Sequence, residues 1–158
     1  MSLTLTVPGR ETLILDGVLC DMNGTLATDG KLSPEVGRSL TELSQLIKVY
    51  VMTADTFGTA AEIFTPLPVE LVGMPPGLPG TAAKLGFLKK LGADTHIAIG
   101  NGFNDHMMLK EAVVSVCVIG EEGAHRLSLN AADLVVTSPL AALNLLLHPK
   151  RLLAGLRN

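Results

Sequence analysis

The chain has 158 residues, 47% hydrophobic, 17% charged and 3% aromatic, with a formal net charge of −3 and a mean hydropathy of +0.42. That length predicts a single domain over residues 1–158, large enough to bury roughly two thirds of its unfolded surface without disulfides or a structural metal. An acidic balance with one Tyr, four Phe and no Trp supplies neither the basic stripe nor the stacked aromatics of a nucleic-acid binder. The apolar runs fall far short of the roughly 18 residues a membrane span needs, so neither nucleic acid nor membrane is expected as a partner.

Leu3, Leu5 and Val7 alternate with Thr4 and Thr6, Pro8-Gly9 turns the chain, and Thr12 to Leu15 run back, which predicts an N-terminal β-hairpin. Val18 to Asp21 is a short apolar strand with an acidic tip, punctuated by Asn23-Gly24-Thr25. Ser33 offers an N-cap with Pro34 behind it, and Val36, Leu40, Leu43, Leu46 and Ile47 recur at helical spacing. Strands then alternate with helices: 49–52 with about 55–64, 69–72 with about 81–91, 96–99 with about 104–112, 114–119 with about 121–131, and 133–136 with 138–147. Repeated βα units with near-continuous Val, Ile and Leu strands predict an α/β fold, a mostly parallel sheet covered on both faces as a three-layer sandwich. Cys20 and Cys117 lie inside strand-like apolar runs and read as small buried hydrophobes. With no secretory signal at the amino terminus, they point to a reducing cytoplasm. The leucines at 140, 143, 145–147, 152, 153 and 156 make the carboxyl-terminal segment apolar on more than one side. They suit packing on the sheet, with self-association into a homo-oligomer as the other use.

In open α/β sheets the ligand site lies beyond the carboxyl ends of the strands. The polar residues there are Asp21 with Asn23 and Thr25, Thr53 with Asp55, and Asn101, Asn104 and Asp105. Lys84 begins the helix before the 96–99 strand, from which a long side chain reaches the same edge, whereas Lys89 and Lys90 sit deeper in that helix. Taken singly, Asn23-Gly24 and Asn101-Gly102 read equally well as turn pairs, Thr53 as a strand-end hydroxyl and Lys84 as a solvated helix residue. His96, His106, His125 and His148 show no metal-ligand spacing.

The series Asp21-Met22-Asn23-Gly24-Thr25-Leu26, then Thr53, Lys84, and Gly100-Asn101-Gly102-Phe103-Asn104-Asp105 resembles the ordered motifs of the haloacid dehalogenase (HAD) superfamily. Within it the chain looks closest to the free-standing, soluble relatives of the P-type ATPase phosphorylation domain. The resemblance implies a Rossmann-like core and an Mg²⁺-dependent hydrolase or phosphatase in which Asp21 attacks a phosphoryl group and becomes an aspartyl phosphate. It implies that Thr53 holds a phosphoryl oxygen, that Lys84 neutralises charge, and that Asn104, Gly24 and Thr25 line the phosphate site. The implied metal ligands are Asp21, the Asn23 backbone carbonyl, Asn101 and Asp105. The segments 26–53 and 53–84 are too short for a cap domain, so an open site is expected, suited to a small phosphorylated substrate or a phosphoprotein. ATP hydrolysis stays at the level of the resemblance.

Two positions depart from the superfamily pattern. Hydrolytic members carry an acid where this chain has Asn23, and an amide cannot exchange a proton near neutral pH, which puts a factor on the order of 10² to 10⁴ in rate at stake. Asn101 likewise replaces an acid, so Asp21, Asp105, Lys84 and Mg²⁺ sum to about +1 by formal charge instead of about −1. The expectation is an enzyme that phosphorylates more readily than it dephosphorylates and favours acyl phosphates and phosphoanhydrides. The alternative is a non-catalytic phospho-ligand sensor. A receiver-like domain would share the sheet, but the order of the motifs opposes it.

Overall fold

The computed structural model of the chain describes residues 1–54 and 58–158. A hairpin of β1 (Leu3–Thr6) and β2 (Thr12–Leu15) leads into β3 (Gly17–Cys20), α1 (Pro34–Ser44), β4 (Lys48–Met52), α2 (Ala60–Phe64) and β5 (Glu70–Val72). The second half runs α3 (Gly80–Leu91), β6 (His96–Gly100), a 3-10 turn (Phe103–Asp105), α4 (His106–Glu111), β7 (Val114–Val118), α5 (Arg126–Ala131), β8 (Leu134–Val136), α6 (Pro139–Leu147) and α7 (Pro149–Leu156).

The six strands β3 to β8 form a parallel sheet in the order β5-β4-β3-β6-β7-β8. The chain builds outward from β3 through β4 and β5, then returns to the other side of β3 and builds outward again. That reversal between β3 and β6 is the topological switch point, where such sheets bind ligands. Strand alternation sends side chains to opposite faces: Val18, Cys20, Ile97 and Ile99 join the core beneath α1, α2, α6 and α7, while Leu19 and Ala98 join the core beneath α3 and α4. No helix among the described residues is long and apolar enough to cross a membrane.

Helix α1 starts where the sequence places it, with the Ser33 hydroxyl accepting the Val36 N–H at 3.2 Å and Pro34 in the first turn. It buries Val36, Leu40 and Leu43, each worth roughly 1.5–3 kcal/mol on leaving water. The helix expected over 55–64 is confined to Ala60–Phe64 among the described residues. The helix expected from 121 begins only at Arg126, because Gly120 to Gly123 form a turn closed by the Gly123 N–H on the Gly120 carbonyl at 3.0 Å. The carboxyl-terminal leucines pack as expected on the core, but over two helices: Leu143 and Leu146 from α6, Leu152 and Leu156 from α7. Pro149 ends one helix and sits in the first turn of the next. Helix α7 then meets the hairpin, where the Asn158 N–H bonds the Pro8 carbonyl at 3.1 Å. Cys20 and Cys117 are both buried and free.

Candidate active site

Register brings the motif residues to one edge. Cys20 pairs with Val51 on one side and Ile99 on the other, and the Asp21 N–H continues the ladder to the Ile99 carbonyl at 3.0 Å. Asp21, Thr53 just after β4, and Asn101 just after β6 therefore leave the sheet side by side. Asp21 is 8% exposed. Asp55 lies outside the described residues.

Lys84, in the second turn of α3, is 1% exposed and closes this edge from the opposite face of the sheet. Its Nζ donates to Asp21 Oδ1 and to Asp105 Oδ1, both at 2.7 Å, and to Asn104 Oδ1 at 3.3 Å. Burial works against the ammonium, but the two carboxylates outweigh it and its pKa is raised. Asp21 competes with Asp105 for that one cation. Burial first, and then the Asp105 charge, push its carboxyl up to about 7 against the pull of Lys84.

The loop after β6 is held around Asp105. Its Oδ2 accepts the backbone N–H groups of Asn101 and Gly102, both at 3.0 Å, so this carboxylate braces its own loop while gripping Lys84. The fold tolerates this only because position 100 is glycine: a Cβ there would come within 2.6 Å of the Asp105 side chain. Asn101 is oriented by its two ends. Its Nδ2 donates to the Gly123 carbonyl at 3.0 Å, which leaves Oδ1 facing the Thr25 hydroxyl at 3.1 Å. Thr25, fully buried, lies 3.3 Å from Asp21 Oδ2 through the same hydroxyl. The Thr25 hydroxyl thus bridges Asp21 and Asn101. Gly24 (φ +80°) is required beside them, because a side chain there would overlap the Asn101 amide.

The Asn23 side chain is tied to the loop that precedes α1. Its Oδ1 accepts the Gly30 N–H at 3.1 Å, and the Gly30 carbonyl accepts the Thr59 hydroxyl at 3.3 Å. Gly30 also borders a groove of about 1010 Å³ whose walls include Leu32, Arg38, Ile63 and Leu67. That groove presents a mostly apolar surface with Lys31, Arg38, Glu42 and Glu62 around it, whereas the buried ionisable groups Asp21, Lys84 and Asp105 meet at the sheet edge.

Three contacts at this edge were invisible in the sequence. The Gly123 carbonyl, the His125 N–H on the Asn101 carbonyl at 2.7 Å, and the Ser128 hydroxyl on the Gly102 carbonyl at 2.5 Å clamp the 101–102 loop from the β7–α5 connection. Nothing in the local pattern marks Ser128, which is buried on an otherwise exposed helix. Every buried side-chain nitrogen and oxygen among the described residues has a partner.

Sheet order and switch point give the chain the Rossmann-like α/β core found in solved HAD hydrolases. Solved structures agree on the fold. The cobalt-bound deoxy-D-mannose-octulosonate 8-phosphate phosphatase of Haemophilus influenzae superposes with a TM-score of 0.68 at 18% identity, over 87% of this chain and 89% of that one. The 3-deoxy-D-manno-octulosonate 8-phosphate phosphatase of Moraxella catarrhalis, in complex with magnesium, phosphate and KDO, gives 0.68 at 19% identity, over 84% and 86%. A putative HAD family hydrolase of Streptomyces avermitilis gives 0.66 at 18% identity, over 87% of each chain. No protein-family model matches the chain. By sequence it belongs to the family of the uncharacterized protein MJ0073 of Methanocaldococcus jannaschii, with 44% identity over 80 residues, 48% of this chain and 86% of that protein. A second protein of that organism, MJ0072, is 46% identical over 39 residues, 25% of this chain and 89% of its own length.

Proposed function

We propose that the protein is an Mg²⁺-dependent phosphohydrolase of the HAD type that is phosphorylated on Asp21 and is slow to release the phosphate. The observation that carries this reading is the buried Lys84 ammonium, 2.7 Å from both the Asp21 and Asp105 carboxylates and 3.3 Å from the Asn104 amide. A phosphoryl group approaching Asp21 would meet one cation already held in place, which is how preorganised charge lowers such a barrier. The two phosphatases named above carry cobalt or magnesium in their structures, which supports a divalent metal here. The donors suit it: Asp21 Oδ2 and Asn101 Oδ1, which share the Thr25 hydroxyl, and the Asn23 backbone carbonyl are oxygens of the kind a hard cation prefers. They would hold Mg²⁺ together with the remaining capacity of Asp105. Bound there, it would neutralise phosphoryl charge and draw Asp21 toward its ionised form.

The residues divide the work. A carboxylate oxygen of Asp21 forms the new bond to phosphorus as the bond to the leaving-group oxygen breaks, and that oxygen departs with the electron pair. Thr25 fixes the carboxylate. Lys84 and Asn104 receive the phosphoryl oxygens on one side and Thr53 on the other, and the missing side chain of Gly24 lets the backbone come close to the phosphoryl group. An acyl phosphate or phosphoanhydride leaves without needing a proton, whereas an alkoxide needs one, and Asn23 has none to give. The same lack slows the attack of water on the aspartyl phosphate. Kinship with the free-standing P-type ATPase-like phosphorylation domains is the finer form of this proposal, supported by the order of motifs around Asp21, Thr53, Lys84 and Asp105.

The test is intact-mass analysis after exposure to acetyl phosphate and Mg²⁺. Addition of one phosphoryl group, abolished in Asp21→Asn, supports the reading; an unlabelled wild-type protein that also gains no thermal stability from beryllofluoride refutes it. The sensor reading is favoured by one observation, the engagement of Asn23 with the Gly30 N–H. Under it, labelling occurs but inorganic phosphate is never released.

A further inference from the structure

Phe103 is the residue before Asn104, and it is 54% exposed. It does not stand alone. The His106 ring lies 4.8 Å from its centroid and the His125 ring 5.2 Å, nearly perpendicular. The two histidines are nineteen positions apart in sequence; the clamp of His125 and of Ser128 in α5 on the 101–102 loop brings them together.

The two imidazoles are fixed in opposite states. His125 Nδ1 accepts the Leu127 N–H at 3.2 Å, so in the neutral ring the proton is on Nε2. His106 Nδ1 lies 2.6 Å from the Phe103 carbonyl, which can only accept, so Nδ1 carries the proton and Nε2 is left as an acceptor. A half-exposed phenyl ring is thus in contact with two imidazoles, one whose neutral Nε2 donates and one whose neutral Nε2 accepts. A hydrocarbon would strip water from both imidazoles without replacing its hydrogen bonds, and an acyclic hydroxylated chain would cover less of the phenyl ring than a flat one. A planar heterocycle with donor and acceptor edges satisfies all three groups.

We infer that Phe103, His106 and His125 form a recognition site for the base of a nucleoside monophosphate whose phosphate occupies the Asp21–Lys84 edge. The inference rests on the proposed phosphoryl site for its phosphate end; such an ester is bound there without rapid turnover, since its alkoxide leaving group needs the proton that Asn23 cannot give. Adjacent Cα atoms are about 3.8 Å apart, and Asn104, the chain neighbour of Phe103, already touches Lys84. A single ring of this kind holds one base, which is compatible with the absence of the basic stripe and repeated aromatics that a nucleic-acid strand requires.

Calorimetric titration of the full chain with AMP and with ribose 5-phosphate, which lacks the base, tests it. AMP is expected to bind about tenfold more tightly, the scale of one stacked base. Phe103→Leu should erase that preference and Phe103→Tyr retain it. Equal affinities in the wild-type protein, no heat with either ligand, or a preference that survives Phe103→Leu would overturn the inference. Labelling of Asp21 by acetyl phosphate is scored separately: labelling without a base preference sinks only the recognition site, and a base preference without labelling sinks only the phosphoryl-transfer reading.

Discussion

The side-chain oxygen of Asn23 accepts the backbone N–H of Gly30 at 3.1 Å, tying the turn after β3 to the loop that precedes α1. Position 23 therefore serves as a latch, and under the proposed function it is also where an acid would assist the leaving group. A carboxylate has two oxygens, so Asn23→Asp can keep the latch with one and offer the other for proton transfer. Phosphate release from a simple alkyl phosphate should rise by roughly 10² to 10⁴ in this variant, with a smaller gain for acetyl phosphate, whose leaving group needs no proton. Steady-state phosphate release with the two substrates measures both; no change with the alkyl ester would mean the position is too far from the leaving group to matter.

Asp21 provides a stability test. Its carboxyl is pushed up to about 7 in the native protein, above the roughly 3.9 of an unfolded chain. Between those values the native state binds more protons than the unfolded state, so this group's contribution to stability falls as pH rises from about 4 through about 7. In metal-free buffer the wild-type Tm should drop between pH 5.5 and pH 8, and Asp21→Asn, neutral throughout, should drop less. Parallel thermal melts decide it, and equal drops would show that Asp21 ionises as an ordinary carboxylate.

Asn101→Asp separates metal affinity from packing. The amide nitrogen of Asn101 donates to the Gly123 carbonyl at 3.0 Å, and a carboxylate cannot. Without metal the variant should lose about 1–3 kcal/mol, the cost of an unsatisfied buried group, together with added repulsion near Asp21. With Mg²⁺ the extra negative charge should tighten binding, so the metal should raise the Tm of the variant more than that of the wild type. Melts across a magnesium titration read both effects. A variant that binds magnesium no better would show that Asn101 does not face the metal.

Asn-Gly pairs commonly deamidate, because the glycine nitrogen attacks the side-chain carbonyl. Here both nitrogens are engaged: the Gly24 N–H is held by the Ala27 carbonyl at 2.7 Å and the Gly102 N–H by Asp105 Oδ2 at 3.0 Å. Peptide mapping after prolonged incubation at mildly alkaline pH should find Asn23 and Asn101 intact in the folded protein and converted in urea. Conversion at equal rates in the two would show that these loops open freely.

The order of strands and helices was legible along the chain because each element carries its own period. Alternating Leu and Thr mark the hairpin, Val36-Leu40-Leu43 mark α1, and unbroken runs such as His96–Gly100 mark strands buried on both faces. The members of the candidate site were legible too, since each sits at a strand tip or at the start of a helix. What local pattern could not supply was the shortening of the 121–131 helix, where the Gly120–Gly123 turn prevailed over the general helical character of the segment. Nor could it assign work to side chains whose partners are remote. Thr25 and Asn23 lie two residues apart in one motif, yet one braces Asp21 and the other latches a loop.

The sequence by itself determined that this is a parallel α/β protein with Asp21, Thr53, Lys84, Asn101 and Asp105 available at one edge, because periodicity and strand ends are properties of neighbours in the chain. Only the tertiary structure decided that one buried ammonium serves two carboxylates, that Asn101 turns its oxygen inward, and that Phe103 stands between two histidines in opposite tautomers. Those outcomes depend on hydrogen bonds between residues up to 76 positions apart, as between Thr25 and Asn101. Their geometry is set by how the loops at the ends of β3, β6 and β7 pack together, and no window of sequence contains it.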